Sequence, residues 1–259
     1  MKKFQVLHLV SPSPWPIIGS FSGMYLIGSG VLLMHSSDNL VLFASLITLL
    51  LMFSWWSDVF SEASLEGGHS KKTVNLLKLG MILFIVSEIF LFISPFWAFF
   101  HSSSSPNVEI GSIWPPQKVV PFPVEEIPLL NTIILLSSGG TLTAAHHFLL
   151  KGEKKHSSSL MKLTILLGML FTLLQGYEYL EAKFSMSDSS FGSAFFLATG
   201  FHGAHVIVGS IFLSACLFQI DKSKISFSQF ICFEASAWYW HFVDVVWLFL
   251  FISIYWWGS

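Results

Sequence analysis

Ionisable side chains stand inside stretches otherwise apolar enough for a lipid bilayer, among them Glu88, His202, His205, Glu234, His241 and Asp244. An acidic group at mid-bilayer costs at least about 2.5 kcal/mol, so each needs a polar neighbour or a task. Glu88 is centred in MILFIVSEIFLFISPFW. It reads either as a protonatable group or as a neutral acid hydrogen-bonded to an adjacent helix. His202 and His205, three apart in ATGFHGAH, have a spacing that could ligate a metal or haem. Gly200, Gly203, Ala204 and Gly209 around them favour close helix approach, and packing with interhelical hydrogen bonding is the reading adopted. His241 and Asp244, at i and i+3, suit an Asp–His hydrogen bond that could move a proton or knit helices together. At about 100° per residue, Glu234, Trp238, His241 and Val245 fall on one helical face with Asp244 beside it, a stripe expected to look into protein. Cys216 and Cys232 form no CxxC or metal-type spacing, so neither a disulfide framework nor a thiolate copper centre is expected. No metal site, phosphate loop, nucleophile elbow or paired-carboxylate hydrolase pattern is read anywhere.

Such groups need spans to hold them. The 259 residues are 53% hydrophobic and only 11% charged, far below the roughly 25% charged of soluble domains. A bilayer crossing takes about 20 apolar residues, and seven segments qualify: about 17–34, 40–56, 76–100, 127–150, 160–179, 191–220 and 230–257. The expected architecture is all-α, one polytopic transmembrane domain over residues 1–259. Gly19 and Gly23 offer a close-packing face on the first span. Pro95 predicts a kink late in the third. The stretch HSSSSPNVEIGSIWPPQKVVPFPVEE is too polar and too broken to cross. Trp15, Trp55, Trp56, Trp97, Trp114, Trp256 and Trp257 read as interfacial belts.

All thirteen basic residues are lysine. With seven spans, Lys2, Lys3, Lys71, Lys72, Lys78, Lys151, Lys154, Lys155, Lys162, Lys222 and Lys224 fall on the N-terminal side, and only Lys118 and Lys183 on the other. That asymmetry predicts an N-terminus on the cytoplasmic or matrix side. A net charge of −2 makes nucleic acid an unsuitable partner. The N-terminus lacks a long apolar core and a small-residue cleavage site, so no removable signal is read. The segment WWSDVFSEASLEGGHSKK is amphipathic and suits phospholipid head groups or a partner subunit.

The chain resembles subunit III of the haem–copper cytochrome c oxidases in its mitochondrial form. HLVSPSPWP, WWSDV, MILFIVSE, FWAFFHSS, WPP, PLLNT, AHH, FGSAFFLATGFHGAHVIVGS and FEASAWYWHFVDVVWLFLFISIYWWGS carry the resemblance, which covers nearly the whole length. It implies a multi-pass protein of the mitochondrial inner membrane, N-terminus in the matrix and C-terminus in the intermembrane space. It also implies that the first two helices stand apart from the other five across a cleft filled with phospholipid. The subunit so implied is non-redox and has no independent activity. It stabilises the catalytic subunit of a proton-pumping oxidase and supports matrix-side proton uptake. Haem and copper are then held by partner chains and not by this one, the partners being subunits I and II, accessory subunits and membrane lipids. By the same resemblance Glu88 matches a buried glutamate beside the lipid cleft, His69 a nearby histidine and Trp56 a tryptophan of the same cleft. Ser57 and Ser61 stand where the family has basic residues, Gln219 where it has arginine, and Gln229 and Phe230 where it has a histidine pair. Serine cannot make arginine's bidentate phosphate contacts, and Lys71, Lys72, Lys222 or Lys224 are the residues that could compensate.

Two other classes fit less well. A proton- or cation-coupled carrier using Glu88, Glu234, His241 and Asp244 calls for inverted repeats and broken midplane helices, and neither is visible. A seven-helix photoreceptor needs a Schiff-base lysine in the last span, and no lysine follows Lys224.

Overall fold

The computed structural model describes residues 12–36, 40–64, 69–108, 111–117, 119–222 and 227–258, without the side chains of 64, 222 and 227–229. Lys2, Lys3, Lys118 and Lys224 of the charge count lie outside the described residues, as do the side chains of Lys222 and Gln229. Among the described residues are seven helices long and apolar enough to cross a membrane. They are α1 (Trp15–His35), α2 (Leu40–Ser64), α3 (Lys71–Ser104), α4 (Ile127–Leu150), α5 (Lys154–Glu181), α6 (Ser190–Lys222) and α7 (Phe227–Leu250), the last continuing as a π turn over Phe251–Trp256. The expected spans all match, but α2, α3 and α5 run several residues beyond them at the lysine-bearing ends. Hydropathy sees only the apolar part of a helix, whereas backbone hydrogen bonding carries it on through the polar ends. Ser70 starts α3 as an N-cap, its Oγ accepting the Thr73 N–H at 3.4 Å. The helix then passes unbroken through Pro95.

The chain forms two compact units, Met1–Leu77 and Lys78–Ser259. In the first, α1 and α2 pair through Ala44, Leu51, Ser22 and Ser29, all buried. Trp15 Nε1 donates to Asp58 at 2.6 Å, and the Ser22 and Thr48 hydroxyls meet at 3.1 Å. Gly19 lies against the Trp55 ring, whereas Gly23 faces open space, so only one of the two glycines makes a helix contact.

In the second unit α4, α5, α6 and α7 share a core centred on the fully buried Trp240 and Trp247. Both indoles are anchored on α4: Trp240 Nε1 donates to Ser138 Oγ at 2.9 Å and Trp247 Nε1 to Thr132 Oγ1 at 3.0 Å. A Cβ on Gly168 would sit 2.5 Å from the Trp240 ring, which is why α5 can carry no side chain there. The polar loop before α4 folds back on this unit. Trp114 packs edge-on to Phe99 and Phe191, and Phe122 against Phe184 and Phe195. Trp114 is therefore a packing residue, while Trp56, Trp97, Trp256 and Trp257 are exposed as an interfacial belt requires.

Candidate functional site

The core groups bring α6 and α7 together, and α3 is joined to them by polar side chains. Glu88 on α3 reaches His205 on α6, with Oε2 and Nε2 at 2.8 Å. The other ring nitrogen, Nδ1, lies 2.6 Å from the Phe201 carbonyl one turn back. A carbonyl only accepts, so Nδ1 must carry a hydrogen and donate it. One proton is then left for Nε2 and Glu88 to share: either the acid donates to a neutral imidazole, or an imidazolium donates to a carboxylate. The pair is neutral as a unit in both forms, which is what a low-dielectric setting tolerates. Phe92, Tyr239 and Phe242 surround the imidazole with ring centroids 5.0, 6.2 and 6.4 Å away. The Glu88 and His205 side chains remain 18% and 14% exposed, so the pair sits at a margin of the unit.

Ten residues earlier on α3, Lys78 forms an ion pair with Glu234 of α7. At 1.5 Å per residue the two polar links are about 15 Å apart along α3. Lys78 was counted with the loop lysines above. It is instead two turns inside a helix, satisfying one of the intramembrane acids.

His202 does not join its neighbour. It is fully buried, Nε2 donating to the Val243 carbonyl at 3.2 Å, its ring held between Phe171 and Trp247. The two imidazoles, three residues apart, thus serve different helices. Among the described residues no three His, Cys, Asp or Glu side chains converge as metal ligands would.

The expected stripe on α7 lies at the edge of the buried face rather than along its centre. Phe233, Ser236, Trp240, Val243, Trp247 and Leu250 take the centre, while Val245 is half exposed. Aromatic bulk wins the interior because it buries the most apolar area, leaving charged groups where α3 or α4 can reach them. His241 and Asp244 stand 3.8 Å apart, too far for the Asp–His hydrogen bond anticipated from their spacing. His241 Nε2 instead lies 3.5 Å from the Thr143 hydroxyl of α4. Asp244 is buried against Gly139 of the same helix, where a Cβ would come within 2.7 Å of its carboxylate.

The remaining cleft candidates belong to the first unit. Trp56 is exposed on α2, Ser61 spends its hydroxyl on the Ser57 carbonyl at 3.0 Å, and His69 is half-buried just before α3.

One polar cluster escaped the sequence reading. Glu178 on α5 is wholly buried and faces Tyr255 of the π turn. Gln175 Nε2 donates to the Tyr255 hydroxyl at 3.4 Å, and Asn131 Nδ2 reaches Gln175 Oε1 at 3.5 Å. The signal was present as Gln175 and Glu178, i and i+3 in LLQGYEYLE.

A family model for cytochrome c oxidase subunit III matches residues 5–259. The chain belongs to the cytochrome c oxidase subunit III family. It is 49% identical over 259 residues to cytochrome c oxidase subunit 3 of Myxine glutinosa, covering 100% of this chain and 99% of that one. The subunit of Rhipicephalus sanguineus is 52% identical over 255 residues, covering 98% and 99%. That of Aedes aegypti is 52% identical over 255 residues, covering 97% of each. The chain is accordingly a structural, non-catalytic subunit of a membrane-bound respiratory terminal oxidase, a multi-pass protein of the mitochondrial inner membrane. It associates with subunits I and II and accessory subunits, and the haem and copper are theirs.

Proposed function

We propose that this subunit holds one exchangeable proton at the Glu88–His205 pair and thereby supports proton uptake from the matrix side. The observation that carries the reading is the pinned imidazole. With Nδ1 committed to Phe201, the 2.8 Å contact to Glu88 shares a single proton that can pass between acid and base without creating net charge. Partial exposure leaves the pair open to exchange. Glu88→Gln tests it, because glutamine still donates to Nε2 but offers no acid. In the assembled oxidase this variant is expected to assemble normally and to take up protons more slowly at high pH. An unchanged uptake rate across the pH range sinks the idea.

The N-terminus lies in the matrix and the C-terminus in the intermembrane space. Lys71, Lys72, Lys151, Lys154, Lys155 and Lys162 support this orientation, clustering at the α3 start and the α4–α5 turn. Amine labelling of intact mitoplasts should leave these six unmodified and mark Lys183; the reverse pattern inverts the topology. Phospholipid is contacted by Trp56, Ser61 and His69 within the first unit, and Glu88 is a separate lipid contact. Trp56 offers an exposed ring to the lipid, and Lys71 and Lys72 beyond His69 offer charge to a phosphate. Trp56→Ala and Lys71→Ala/Lys72→Ala variants should each lose lipid from the purified complex by mass spectrometry. Full retention in both would remove these residues from the lipid site.

A further inference from the structure

Cys216 and Cys232 are sixteen positions apart in sequence and on different helices, α6 and α7. Their sulfur atoms meet at 2.6 Å, and both are free thiols. The sequence spacing alone gave no reason to expect this contact. Antiparallel helices joined by a short connection bring residues near their facing ends together whatever the separation in sequence. Cys216 is buried at 1% exposure within the aromatic core, whereas Cys232 is only partly buried and can be reached from outside. Among the described residues no third ligand completes a metal site around them.

We propose that Cys216 and Cys232 are a reversible thiol–disulfide pair, a modification site that closes when a hydroperoxide reaches Cys232. The order follows from access. Cys232 as thiolate attacks one peroxide oxygen, so that the S–O bond forms, the O–O bond breaks and hydroxide leaves to be protonated as water. Cys216 then attacks the resulting sulfenic sulfur. The S–S bond forms, the S–O bond breaks, and the departing hydroxide takes the Cys216 proton as a second water. Two thiols and one hydrogen peroxide give one disulfide and two waters, the sulfurs supplying both electrons. A dithiol reductant reverses the step. Contact between the sulfurs already meets the condition that usually limits such closure, that the side chains approach without backbone movement. The link would tie α6 to α7 two residues before Glu234, where α3 is also joined.

The test uses the assembled oxidase in mild detergent, treated with graded hydrogen peroxide, alkylated with N-ethylmaleimide under denaturing conditions and digested for mass spectrometry. The expected result is loss of both maleimide adducts in parallel and appearance of one Cys216–Cys232 linked peptide, lighter by two hydrogens and restored by dithiothreitol. In a Cys216→Ser variant Cys232 should stop at sulfenic acid, trapped by dimedone. In Cys232→Ser, Cys216 should keep its maleimide label throughout. Peroxide that leaves both thiols labelled, or that takes Cys232 to sulfinic acid in the unmodified protein while Cys216 stays free, overturns the proposal.

Discussion

Two ways of holding a helix coexist in the larger unit. The α4–α7 core closes on backbone-level contact. Gly168 admits the Trp240 ring, and each buried indole has a hydroxyl partner on α4. By contrast, α3 is held through side-chain tips: Lys78–Glu234, Glu88–His205 and ring contacts that include Phe84–Tyr239, Phe92–Phe242, Phe96–Phe249 and Phe99–Phe191. Tight packing depends on shape and tolerates no added atoms. Long side chains adapt, and on the proposed function they leave room for groups that exchange protons or meet lipid. Architecture and chemistry are thus divided between the core and the seam.

That contrast can be broken at its stiff end first. Gly168→Val puts two methyl groups into the Trp240 ring with no flexible neighbour to yield, and should destabilise the subunit by about 3 kcal/mol. The complex would then lose this subunit at a clearly lower temperature in a detergent thermal ramp, and an unchanged midpoint would show that the core gives way. Ser138→Ala leaves the Trp240 N–H buried without its acceptor and should destabilise by about 1–2 kcal/mol in the same assay. At the seam, Glu88→Leu removes one interhelical hydrogen bond while the ring contacts persist. The expected stability effect is about 0.5–1.5 kcal/mol, smaller than in the core. A larger loss than for Gly168→Val would reverse the division drawn here.

The smallest effect lies at the turn before α6. Asp188 accepts the Ser185 backbone N–H at 2.7 Å, and that hydrogen bond, with a lesser one from the Ser185 side chain, holds its carboxyl below the usual carboxylate range. A carboxyl lowered by folding stabilises above its unfolded value of about 3.9 and ceases to do so as pH falls through the lower folded value. Hydrogen exchange at Ser185 should accelerate across that acid window beyond its intrinsic pH dependence, and Asp188→Asn should abolish the extra acceleration.

Much of this organisation was legible in the sequence. Span number followed from hydropathy, because lipid enforces long apolar runs on every crossing helix. The residues of the seam were legible too: Glu88, His205 and Glu234 stood out by being polar where polarity is costly. Their partners were not. Which acid meets which base depends on helix rotation and order, and no local pattern encodes either. The α7 stripe shows the limit well. Periodicity grouped Glu234 with His241, but the aromatic residues one position away claimed the interior. Glu178 was missed for a related reason, since burial near a span's end comes from the loop and the π turn folding over it. The cysteines met because their helices do, a tertiary fact that spacing rules cannot see.

The widened turn at Phe251–Trp256 takes up one residue of chain length locally. There the Trp257 amide reaches the Ile252 carbonyl at 2.9 Å, five residues back, so one extra residue is absorbed in a single coil. That extra residue lets Ile254 and Tyr255 both point inward while Trp256 and Trp257 emerge at the surface. Deleting one residue within this coil would restore ordinary winding and leave the residues after it in place, at the cost of one of the two inward side chains. The coil is thus the place where a one-residue change in length is taken up locally.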